Sequence, residues 1–152
     1  MQQVTRRSLV RNTDSDALVP MTAADQVWFS GRAPGGAVLT GHYRGGTWRG
    51  TNLEWEILGT EGELRLSAGG TGHVQIQPMN ISGARGDEAV LREMPIPDEY
   101  VRVQGLDRLR QPQAYILGHE YEQLLRDLRD GTALMATWED AVRRHESIEL
   151  TN

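Results

Sequence analysis

The chain has 152 residues, 16 basic against 21 acidic side chains for a net charge of −5, no cysteine, and arginine as its only basic residue besides histidine. Without cysteine there are no disulfides, thiolate nucleophiles or Cys-held zinc or iron–sulfur centres, and without lysine no Schiff base or phosphate-cradling lysine. The acidic balance disfavours nucleic acid as a partner. No apolar run approaches the roughly 20 residues of a membrane span, and no secretion leader is visible, so a cytoplasmic protein of one domain (1–152) is expected.

Residues 4–10 read as a short edge strand, and 12–16 as a polar turn. Gln26–Arg32 and Ala37–Arg44 alternate apolar and polar residues around Ala33-Pro34-Gly35-Gly36, which predicts a hairpin. Leu53–Leu58 and Glu63–Ser67 repeat the pattern around Gly59-Thr60-Glu61-Gly62. His73–Gln77 and Ala89–Met94 read as weaker strands flanking the glycine-rich stretch 83–86. Pro95, Pro97 and Pro112 then mark the passage into a helical third.

From Gln113 the period changes. Tyr115, Leu117, Tyr121, Leu124, Leu125 and Leu128 follow the three-and-four spacing of an amphipathic helix, with Gly131 as its stop. A second helix is predicted from Thr137 toward Ser147, Thr137 and Asp140 forming a capping-box pair. Strands followed by helices give an α+β class: an open, mostly antiparallel β-sheet with helices packed on one face.

Period-two alternation sorts the strand residues onto two faces. Val27, Phe29, Leu39, Tyr43, Leu53, Trp55, Ile57, Leu64 and Leu66 form an apolar set expected to lie under the helices. Trp55 and Trp138 are expected in the core. The opposite set mixes aromatic, cationic, anionic and imidazole groups, as a ligand cleft or a wet oligomer interface requires. Within it, His42 with Glu54 and Glu56 forms the candidate acid–base constellation, because imidazole and carboxylate together move protons near neutral pH. Cross-strand ion pairing is the plainer use of the same residues. Trp28, Thr40, Arg44, Trp48 and Arg49 are candidate substrate-binding residues: the indoles to stack on a ring, Arg44 to hold an anionic group. His119-Glu120 lacks the second histidine of a zinc helix, since position 123 is Gln, and His119 is expected on the solvent side. No metal site is expected.

Three runs, in order, resemble the second domain of the Gfo/Idh/MocA oxidoreductases. The first comprises Asp25 to Gly31, Gly36-Ala37-Val38 and His42-Tyr43-Arg44-Gly45-Gly46. The second is Trp55-Glu56-Ile57-Leu58-Gly59-Thr60-Glu61-Gly62-Glu63-Leu64-Arg65-Leu66. The third closes the chain with Leu128-Arg129-Asp130-Gly131, Trp138-Glu139-Asp140-Ala141-Val142 and His145. The likeness spans residues 20–148. It implies an open antiparallel sheet that shapes a substrate cleft and an oligomer contact, beside an N-terminal Rossmann domain that carries NAD(P). This chain has no G-x-G-x-x-G that follows a strand and opens a helix, since Gly69-Gly70-Thr71-Gly72 lies among strands. It also has no lysine for the family's Glu-Lys-Pro motif.

The expectation is therefore a C-terminal-type domain, stand-alone or excised, that binds no cofactor alone and works with NAD(P) only if paired with a Rossmann domain. Its expected partners are a second copy through the open sheet face, a separate Rossmann domain, and a sugar-like or other polar small molecule. Two other readings stand beside it: a cofactor-independent isomerase, cyclase or dehydratase using the polar face, and a purely structural or regulatory dimer.

Overall fold

Residues 2–46, 49–71 and 73–149 are described by a computed structural model, in which the chain forms two compact units: one drawn from 1–46 and 138–152, the other from 47–137. The class is α+β, and every strand pairing is antiparallel.

In the first unit, β4 (Gln26–Arg32) and β5 (Val38–Arg44) form the predicted hairpin, and β1 (Gln2–Val4) adds to the free edge of β4. The loop closes where the Ala33 N–H donates to the Ala37 carbonyl at 2.9 Å. A separate ribbon pairs β2 (Leu9–Arg11) with β3 (Leu18–Pro20). The expected strand over 4–10 is thus split in two, and Asp25 explains the break. This carboxylate is 2% exposed and accepts the Arg6 N–H on Oδ1 at 2.8 Å and the Arg7 N–H on Oδ2 at 3.0 Å. Backbone donors bound to a side chain cannot join a sheet ladder, so β1 ends there. The same hydrogen bonds, the Arg6 one foremost, hold the Asp25 carboxyl below the usual carboxylate range. Helix α2 (Trp138–Glu149) starts where the capping pattern placed it.

The second unit is built on a four-stranded sheet of β6 (Leu53–Leu58), β7 (Gly62–Ala68), β8 (Asn80–Arg85) and β9 (Arg92–Glu93), in that order. Two strand expectations change. Residues 73–77 form a turn, because the Ile76 N–H donates back to the His73 carbonyl and Gln77 Oε1 caps the Thr71 N–H. The strand on β7 is instead 80–85, and only Arg92–Glu93 of the 89–94 segment pairs with it.

Helix α1 (Pro112–Asp130) ends at Gly131 as expected: φ 67° and ψ 29° place this residue in the left-handed region that glycine enters without a Cβ penalty. Which side of α1 faces its unit is not what the apolar stripe suggested. Leu117, Leu125 and Leu128 are exposed, Leu128 by 74%, while Tyr115, Ile116, His119, Gln123 and Asp127 turn inward against the 101–111 segment and the 131–136 turn.

The strand faces sort as alternation requires. In the first sheet the register pairs Trp28 with His42, Ser30 with Thr40 and Gln26 with Arg44 on one side, and Val27 with Tyr43 and Gly31 with Leu39 on the other. In the second sheet Trp55 meets Leu66 and Ile57 meets Leu64 on the apolar side, while Glu56 meets Arg65 on the polar side. The apolar sides stay open: Phe29 is 46% exposed, Tyr43 68% and Trp55 56%. Neither tryptophan expected in the core is buried, and Trp138 is the most exposed large apolar side chain among the described residues, at 87%. Both indoles lie on amphipathic elements whose apolar side has no covering layer within its unit.

Candidate functional site

The β4–β5 hairpin is the part of the molecule in which several predicted site residues meet. Strand residues that pair directly across a ladder project to the same side about 5 Å apart. Trp28 and His42 are such a pair, flanked along the strands by Ser30 with Thr40 and by Gln26 with Arg44. His42 Nε2 lies 3.0 Å from Gln26 Oε1. An amide oxygen only accepts, so Nε2–H donates, and in that tautomer Nδ1 is the acceptor of the ring. The result is an open wall: an indole 39% exposed beside an imidazole acceptor and two hydroxyls. Such a wall stacks the flat face of a ring and hydrogen-bonds its substituents.

The other predicted residues are placed differently. Glu54 and Glu56 belong to the second unit, where Glu54 forms an ion pair with Arg65, and Glu56 stands opposite Arg65 in the ladder. Cross-strand pairing is thus the use the second sheet makes of Glu54. Arg49 also belongs to the second unit and is exposed, while Trp48 lies outside the described residues. Trp28, Thr40, His42 and Arg44 therefore share one wall, and the two glutamates share another.

Sequence reasoning missed the groups with the most elaborate surroundings. His119 is half-buried, not on the solvent side. Its Nδ1–H donates to the Tyr115 carbonyl at 2.9 Å, its Nε2 accepts the Arg102 N–H at 3.2 Å, and its ring lies 4.4 Å from that of Tyr115. The four-residue spacing of Tyr115 and His119 on one helix was the available signal. Asp127 is 8% exposed and accepts four hydrogen bonds, from Gln123, Thr132, Leu134 and Met135. In sequence it is one more charge in a run of arginines, aspartates and leucines, and nothing in its neighbours announces the role.

No family model, curated protein or solved structure matches this chain. No described helix is long and apolar enough to cross a membrane.

Proposed function

We propose that the chain is a substrate-binding and oligomerisation domain of the Gfo/Idh/MocA type, located in the cytoplasm, to which a separate Rossmann domain supplies NAD(P) chemistry. The β4–β5 register is the observation that carries this reading. It gives one side of a single hairpin the indole, imidazole and hydroxyl groups that a polar, sugar-like molecule requires, and gives the other side Phe29, Leu39 and Tyr43. Trp28 stacks on the ligand ring while Ser30, Thr40 and His42 Nδ1 meet its hydroxyls. Phe29, Leu39 and Tyr43 form the surface that a second copy covers, since contiguous exposed apolar patches of this kind mark association sites. The order of the three family-like runs agrees with both roles.

The division of labour is tested with the cofactor. Titration of NADH and NADPH into the chain alone, followed by nicotinamide fluorescence, is expected to show no saturable binding in the micromolar range. Saturable micromolar binding overturns the claim that cofactor chemistry comes from elsewhere.

A further inference from the structure

We infer that the second unit holds a separate small-molecule cleft, between the 100–102 segment and the inward side of α1, that takes an aryl monocarboxylate on Arg102. The cleft measures about 670 Å³, and its walls include Tyr100, Tyr115, His119, Glu120 and Gln123 around Arg102.

Arg102 carries the argument. Its guanidinium is held by neutral acceptors alone: Nε–H donates to the Glu99 carbonyl at 3.3 Å and Nη1–H to Gln123 Oε1 at 2.6 Å. It forms no ion pair among the described residues. Nor is its orientation accidental. Gln123 Nε2–H donates to Asp127 Oδ1 at 3.0 Å, which leaves Oε1 to face the guanidinium. A relay from Thr132 through Asp127 and Gln123 thus fixes the Nη1 side of the Arg102 guanidinium, and Nη2 has no partner among the described residues. The Arg102 N–H is itself anchored on His119. With Nε–H and one Nη1–H already donated, Nη2 is the open end of a pre-oriented, unneutralised guanidinium, and a carboxylate takes its charge-assisted hydrogen bonds there.

The remaining walls narrow the ligand class. The tyrosine rings, with Ile116 and Met135, supply flat and apolar surface for an aromatic body. Glu120 lies on the same rim and is exposed. Its charge repels a dianion more than a monoanion, so phosphate is disfavoured and a single carboxylate is preferred.

Isothermal titration of the full chain with phenylacetate, its neutral isostere phenylacetamide and inorganic phosphate tests the cleft. Phenylacetate is expected to saturate with a Kd on the order of a millimolar, as suits a ligand of its size. The amide is expected to bind at least about tenfold more weakly, since hydrogen bonds to a charged group carry the difference. Phosphate is expected to show no saturation. Arg102→Gln removes the preference for acid over amide, and Arg102→Lys restores part of it, because the charge returns without the fork. Tyr100→Ala, at a side chain outside the hydrogen-bond relay, weakens phenylacetate severalfold at an unchanged melting temperature, which separates binding from folding. Equal binding of acid and amide, absence of saturation by phenylacetate, or phosphate binding as tight as phenylacetate overturns the inference.

Discussion

Replacing Asp127 with asparagine is expected to lower the melting temperature by roughly 5–10 °C, the largest effect of any near-isosteric substitution in the second unit. Both oxygens of this carboxylate accept. Oδ1 takes the Thr132 hydroxyl at 2.6 Å and Gln123 Nε2–H at 3.0 Å, while Oδ2 takes the Leu134 N–H at 3.0 Å and the Met135 N–H at 2.8 Å. An asparagine must aim its NH2 group at one of these pairs. Facing Leu134 and Met135 it meets two backbone donors that cannot reorient, and facing Thr132 and Gln123 it meets the NH2 group of Gln123. Either way a nearly buried donor is left without an acceptor. Helix α1 then loses the tie between its last turn and the 131–136 segment.

The same hydrogen bonds set a pH dependence. Chief among them is the Thr132 hydroxyl, followed by the Met135 N–H, and together they hold the Asp127 carboxyl down at about 2 against an ordinary value of 3.8. A carboxyl whose folded value is depressed contributes stability that is complete above its unfolded value and lost as the pH falls through the folded one. The melting temperature of the wild type therefore declines between about pH 4 and pH 2 by more than that of Asp127→Asn, and the two curves converge at the acid end. Parallel curves for the two proteins across that range contradict the assignment.

Gly62→Ala is the second large effect, expected to cost about 1–3 kcal/mol in denaturant titration. Gly62 opens β7 and pairs with Arg85 on β8. A Cβ there lands 2.4 Å from the Ala84 carbonyl oxygen and 3.1 Å from Arg85 Cα. Both are backbone atoms, so β8 itself has to move. Gly41→Ala makes a useful comparison, because the three atoms nearest its Cβ all belong to the ring of Phe29, the first at 2.3 Å. That ring is 46% exposed and free to swing away, so the smaller cost belongs to Gly41 even though its nearest distance is shorter. Hydrogen exchange should quicken along β7 and β8 in Gly62→Ala and leave β4 and β5 as in the wild type. Unchanged exchange in β7 and β8 contradicts the close approach.

The hairpins were legible because everything that makes them is local: alternation over six or seven residues and a glycine-rich turn between. The same alternation assigned Trp28, Thr40, His42 and Arg44 to one side before any pairing was known, and the register bears that out. Strand β8 was not legible. Its sequence Asn-Ile-Ser-Gly-Ala-Arg has weak strand preference, and it becomes a strand because the edge of β7 offers a full ladder. His73–Gln77 fails in the opposite sense: it alternates well, but its backbone and side chains turn on themselves through His73 and Gln77. For α1, periodicity placed both ends closely and could not say which side turns inward. The leucine stripe is real, yet the contacts run through His119 and Gln123, which Arg102 reaches across 17 and 21 residues of sequence. Partners chosen by hydrogen-bond geometry 15 or more residues away leave no periodic trace, which is why the Arg102 cleft was invisible and the β4–β5 wall was not.

The central claim is that an open sheet presents a polar side to a ligand and an apolar side to a second copy, and sedimentation velocity tests the second half directly. The chain is expected to sediment as a dimer or larger species at tens of micromolar, an ordinary concentration for a modest interface. Leu39→Arg places a charge at a position 48% exposed on the apolar side, where it spares the fold and opposes association, so this variant is expected to sediment as a monomer. A wild-type chain that remains monomeric at that concentration, or a Leu39→Arg variant that associates as tightly as the wild type, contradicts the account.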